Sequence, residues 1–164
     1  LIESTDISDG HKVLFLQGVL DGHGGSLAVE FCRQKIPEQF RGLYSKYSHD
    51  VPALITNSLK ETNRLLDGEN YITQGCCACL GLFERKEGKK ICHIANLGDT
   101  RAVLCKNGVA QQISVDHKTS NEEEQKRVQQ QGGIIFRNRL GGVLAVTRSL
   151  GDFELKEVVK KFRN

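Results

Sequence analysis

Two dipeptides, Glu87-Gly88 and Asn107-Gly108, set the strongest constraint on how this chain can fold. Each separates two apolar-rich runs. A two-residue hairpin loop of the type Asn-Gly favours needs positive φ at both central positions, and Asn-Gly meets that demand at low cost. The runs at 72–84, 90–97, 101–106 and 109–114 therefore read as strands joined by hairpins, which predicts an antiparallel sheet. Residues 13–20 predict one earlier strand. Residues 133–137 and 142–146 predict two short later ones around a turn at Leu140-Gly141.

Between the first strand and the hairpins the hydrophobic period is that of a helix. Leu27, Ala28, Phe31 and Cys32 recur at helical spacing after Ser26, and Pro37 is expected to interrupt the pattern. A second helix is marked by Asp50 as N-cap, Pro52 in the first turn and an apolar face of Val51, Leu54, Ile55, Leu59, Leu65 and Leu66. Asp67-Gly68 is its stop. Residues 121–131 predict a polar helix, with Ser120 and Glu123 as a capping box, three glutamates at the positive end and Gly132 as the stop. The tail at 154–164 is amphipathic and predicts a helix. Helices followed by antiparallel strands indicate an α+β domain, and 164 residues without repeat or linker indicate one domain.

Composition narrows the function classes. A net charge of +3 is too small to argue for nucleic acid or a membrane surface, and no apolar run approaches the ~20 residues of a membrane span. Lysines and arginines cluster at Arg85, Lys86, Lys89 and Lys90, and again at Lys156, Lys160, Lys161 and Arg163; both groups read as solvated faces. Six cysteines include Cys76, Cys77 and Cys79, whose spacing lacks the paired elements of a zinc site. In a strand Cys77 and Cys79 share one face and Cys76 takes the other, so they read as structural thiols of an intracellular, reducing compartment, cytoplasmic or nuclear. The chain holds no Met and starts at Leu1, which predicts a fragment or processed product.

The chemistry is concentrated in two strings, Val-Leu-Asp-Gly-His-Gly-Gly at 19–25 and Val-Thr-Arg-Ser-Leu-Gly-Asp-Phe at 146–153. The first follows a strand and sets a carboxylate, a bare glycine and an imidazole side by side. Such an acid can ligate a hard cation, the glycine lets a carbonyl approach it, and the histidine can move a proton. Asp-Gly is also a common turn dipeptide. Between the two strings come Ala95-Asn96-Leu97-Gly98-Asp99-Thr100-Arg101-Ala102-Val103-Leu104, Asp116-His117-Lys118 and Gly132-Gly133, in that order.

This ordered set resembles the metal-dependent protein phosphatase family, the protein phosphatase 2C type, from about Val13 to Phe153. The resemblance implies an antiparallel β-sandwich flanked by helices, of which residues 1–164 would form a single, incomplete domain. It implies Mg²⁺- or Mn²⁺-dependent hydrolysis of phosphoserine and phosphothreonine in phosphorylated protein substrates, by water bridging two ions. Asp21 matches the bridging carboxylate and Gly22 the carbonyl ligand. His23 matches the acid that protonates the leaving oxygen, against the plainer reading of a turn histidine on backbone. Asp99 matches the ligand of a third, weaker metal, or is a turn carboxylate. Asp116 and His117 read as structural, and Arg148 and Asp152 as an ion pair or turn network supporting the site.

The family's upstream Glu-Asp pair and phosphate-binding arginine have no counterpart before Asp21, where only Glu3 and Asp6 are available. Its downstream D-G-L-W-D and D-N segments are absent too. Two further readings therefore stand beside the phosphatase: an inactive relative that binds phosphorylated partners or regulates another protein, and an unrelated thiol or metal module at Cys76, Cys77 and Cys79. A monomer is expected.

Overall fold

Alternation along two paired strands divides the structure into a covered side and an open one. The computed structural model of the chain describes residues 1–7, 14–67 and 73–156. In chain order these form β1 (Ile2–Asp6), β2 (Leu14–His23), α1 (Leu27–Tyr47), α2 (Val51–Asp67), β3 (Gly75–Lys86) and β4 (Lys89–Leu97). There follow β5 (Val103–Lys106), β6 (Val109–Gln112), α3 (Glu122–Gln130), β7 (Ile135–Phe136), β8 (Arg139–Leu140) and β9 (Leu150–Gly151). One antiparallel sheet runs β1-β2-β3-β4, and β9 pairs with the first residues of β3, beyond the point where β4 ends. The pairs β5-β6 and β7-β8 are separate two-stranded ribbons.

Register decides the faces. Leu16 lies opposite Leu82, Gly18 opposite Leu80, Leu20 opposite Ala78 and Gly22 opposite Cys76, so these residues all point to one side. On that side Leu16, Cys76, Leu80 and Leu82 join the core built with Ala28, Cys32, Ile36, Phe40 and Tyr44 of α1 and Val51, Leu54 and Leu66 of α2. The odd-numbered residues face the other way, where Phe15 is 40%, Val19 52% and Phe83 40% exposed. No helix among the described residues is long and apolar enough to cross a membrane.

Both expected hairpin turns form, with Glu87 and Gly88 at φ 52 and 75 and Asn107 and Gly108 at φ 53 and 79. Asp50 caps α2 as its side chain predicts, accepting from the Ala53 N–H at 2.9 Å. Three expectations are corrected and one strand is added. Pro37 does not interrupt α1, which runs 21 residues through it. Every fourth residue from Ala28 to Tyr44 is buried, and that continuous stripe outweighs the one helical hydrogen bond a proline removes. The cap of α3 is Asn121, not Ser120: its Oδ1 accepts from the N–H groups of Glu123 at 2.9 Å and Glu124 at 3.4 Å. The two later strands are 135–136 and 139–140, joined at Arg137 and Asn138, both at positive φ; the expected turn after Leu140 forms at Gly141 and Gly142, but 142–146 makes only isolated bridges. Residues 2–6 form an edge strand that their polar composition hides. Most of the tail expected to be helical lies outside the described residues, as do Lys160, Lys161 and Arg163.

A buried carboxylate ties α3 to the stretch before β9. Glu124 is 4% exposed and accepts from Arg148, Arg127 and the Thr147 hydroxyl. Burial alone would raise its carboxyl, but these donors outweigh it and hold the group well below the usual range. Arg148 thus pairs with Glu124 and not with Asp152.

Two predictions follow from this packing. Phe40→Ala, which empties a fully buried ring site, lowers unfolding free energy by about 3–5 kcal/mol, read from urea denaturation. Because Glu124 has a depressed folded pKa, its stabilisation is present above the ordinary glutamate value near 4.5 and is lost as pH falls below it. Glu124→Gln costs about 2 kcal/mol at pH 7 and flattens the acid limb of stability against pH.

Candidate active site

Strand β2 ends on the open side of the sheet with the residues singled out by sequence. Asp21 lies opposite Cys77, Gly22 opposite Cys76 and His23 opposite Gly75. Asp21 is exposed, and its carboxylate has no hydrogen-bond or salt-bridge partner among the described residues. Gly24, at φ 72, turns the chain away; a Cβ there would press on the Thr73 carbonyl. The helix that follows is capped from a distance. Ser26 makes no side-chain cap, and Gln74 Oε1 instead accepts from the N–H groups of Leu27 at 3.0 Å and Ala28 at 3.3 Å. The His23 loop is thereby fastened to the entrance of β3.

The imidazole of His23 meets a third segment. Its Nε2 lies 2.9 and 2.8 Å from the two carboxylate oxygens of Asp152, which is 5% exposed. The Ser149 hydroxyl also donates to Asp152. Gly75 permits the meeting, because a Cβ at that position would overlap both the Asp152 carboxylate and His23 Nε2. The carboxylate and then the Cys77 thiol beside the ring outweigh burial and raise His23 to about 10, so the ring is protonated at neutral pH. Its partner is therefore a buried carboxylate rather than turn backbone.

The Gly98–Asp99 turn folds over the same end of the sheet. Gly98, at φ 89, packs against Cys77, leaving no room for a side chain. His117 Nδ1 accepts from the Gly98 N–H at 3.2 Å. Burial, and then nearby Arg148, lowers His117, as suits this acceptor. Asp116 pairs with Arg101, so both residues hold loops together, as expected of them. Asp99 pairs with Lys118 at 3.2 Å. Cys76 sits in the core against Cys32, and that contact together with burial pushes its thiol far up, so it stays protonated. Sequence reasoning missed Gln74, Gly75, Cys77 and Ser149; the first two lie at the start of a strand and carry no local signal of the long-range contacts they make.

Asp21 and the Gly22 carbonyl are hard oxygen donors of the kind Mg²⁺ or Mn²⁺ takes. They do not suffice in number, since the described residues hold no group of three or more side chains able to ligate one ion. Glu3 and Asp6 do not make up the difference. β1 runs antiparallel with Ile2 opposite Gly18 and Asp6 opposite Phe15, which puts Asp6 about 20 Å along the strand from Asp21.

Comparison with known proteins bears on this arrangement. The family model of protein phosphatase 2C matches residues 3–163. Protein phosphatase 2C homolog 1 of Schizosaccharomyces pombe is 37% identical over 148 residues, covering 86% of this chain and 42% of its own length. Probable protein phosphatase 2C 13 of Arabidopsis thaliana is 36% identical over 148 residues, covering 85% and 38%. The chain spans about two fifths of the length of these curated relatives. Among solved structures, a C. elegans sex determining protein superposes with TM-score 0.80 at 24% identity, covering 89% of this chain and 38% of that one. A phosphatase from Toxoplasma gondii gives 0.74 at 20% identity, covering 93% and 58%. At those identities the structural likeness speaks to the α+β fold, which the two share with this chain. Matched by the family model over nearly its whole length, the chain belongs to the protein phosphatase 2C family.

Proposed function

We propose that this chain is part of a single catalytic domain of a metal-dependent protein serine/threonine phosphatase, acting on phosphorylated proteins. One observation carries the reading: the exposed Asp21, its carboxylate without a partner among the described residues, and His23, held by Asp152, stand two residues apart at one strand end, on the open side of the sheet. Asp21 and the Gly22 carbonyl offer two ligands for Mg²⁺ or Mn²⁺, and the remaining ligands come from the rest of the full-length protein. The ions, when bound, activate water and offset charge on the phosphoryl oxygens.

The chain's own residues serve the leaving group. A serine or threonine alkoxide is a poor leaving group, and protonating it during P–O cleavage is worth roughly 10²–10⁴-fold. His23 carries the proton for that step. Asp99 is assigned to a further, weaker ion, which requires that Lys118 release it.

Two measurements test this. In the full-length protein Asp21→Asn abolishes Mn²⁺-dependent phosphate release from a phosphothreonine peptide while circular dichroism stays unchanged; undiminished turnover would sink the assignment. The 164-residue chain alone releases little or no phosphate with Mn²⁺, because it brings too few ligands. A full-length protein that binds the phosphopeptide without metal and never turns it over would mark an inactive regulatory relative instead.

A further inference from the structure

The phosphatase reading gives His23 a task but leaves open what aims its ring. A histidine donates usefully only if the ring is held and the correct nitrogen faces the substrate. Asp152 is held unusually firmly. It is a non-glycine residue in the left-handed region, at φ 52, directly after Gly151 at φ 80. Such a conformation persists where the surroundings over-determine it. Here the Asp152 N–H donates to the Gln74 carbonyl at 2.9 Å, and the Gly151 N–H donates to Asn63 Oδ1 at 3.0 Å. Strand pairing sets Gly151 opposite Gly75, and Ser149 donates to the carboxylate itself. Arg148 is engaged by Glu124, and Asp152 pairs with His23.

We propose that Asp152, backed by Ser149, is the positioning residue of the proton-transfer step: it grips Nε2 of His23 and leaves Nδ1 as the nitrogen that serves the departing oxygen. The role rests on the phosphatase reading above. It assigns the Ser149-Leu150-Gly151-Asp152 stretch a duty separate from ligating metal.

The test uses the full-length protein and two substrates, a phosphothreonine peptide and p-nitrophenyl phosphate, whose leaving group departs without a proton. Asp152→Asn is expected to cut kcat about 100-fold on the peptide, with KM changed less than about two-fold, and less than about ten-fold on the aryl ester. Ser149→Ala, a milder change, shows the same preference at about three- to ten-fold. In a His23→Ala background Asp152→Asn costs nothing further, since the group it positions is gone. A wild-type protein that turns over, combined with equal losses on both substrates or with additive losses in the double variant, overturns the positioning role alone. A wild-type protein that releases no phosphate from either substrate overturns the underlying reading and the role with it.

Discussion

A side chain at residue 75 would break a close crossing of three chain segments. Three stretches far apart in sequence, 22–28, 73–75 and 149–152, pass within contact there. The missing Cβ lets the Asp152 carboxylate and the His23 imidazole approach the β3 backbone together, while β9 pairs along the same residues. Next to it, Gln74 spends its side chain on the first N–H groups of α1 and its carbonyl on Asp152. One residue thus anchors both the helix that follows the Asp-Gly-His turn and the carboxylate that meets its histidine. These contacts are polar and short, and they sit at the rim of a core whose apolar mass lies under α1 and α2.

That core explains why local preference loses to burial in several places. α1 carries a proline in its middle and still runs unbroken, because Cys32, Ile36, Phe40 and Tyr44 each lose water only if the helix continues. α2 buries Ser58 and Thr62 in the same way, and the Thr62 hydroxyl is satisfied by the Ser58 carbonyl at 2.9 Å. α3 is different. Its buried content is little more than Val128 and the Glu124 carboxylate, so its attachment to the 146–149 stretch is ionic.

Most of the fold was legible where turn chemistry speaks for itself. Asn107-Gly108 and Glu87-Gly88 announce their hairpins, and Asp50 announces the start of α2, because each rule acts over four residues or fewer. The polar edge strand β1 was not legible, since little of it needs to be apolar. The turn at Arg137 and Asn138 lacks a glycine and so carries no such mark, whereas the next one is announced by Gly141 and Gly142. At the site, Asp21, Gly22 and His23 were found through their motif, and the structure sets them at one strand end. The pairing of His23 with Asp152 spans 129 residues, and no periodicity connects them. Only the sheet, by bringing β9 against the start of β3, makes them neighbours.

Parity links the core to the chemistry. Leu16 and Leu20 sit at even positions of β2 and pack toward the helices, while Asp21 and His23 sit at odd positions and face outward. The distance from Leu20 to Asp21 is one step of a two-step repeat. Inserting or deleting a single residue between Leu16 and Asp21 would force a choice: keep the leucines inward and turn the carboxylate into the apolar layer, or keep the carboxylate outward and lift the leucines into water. Length changes in this strand are therefore tolerable only in pairs or at a bulge, and drift in its sequence is confined to substitution.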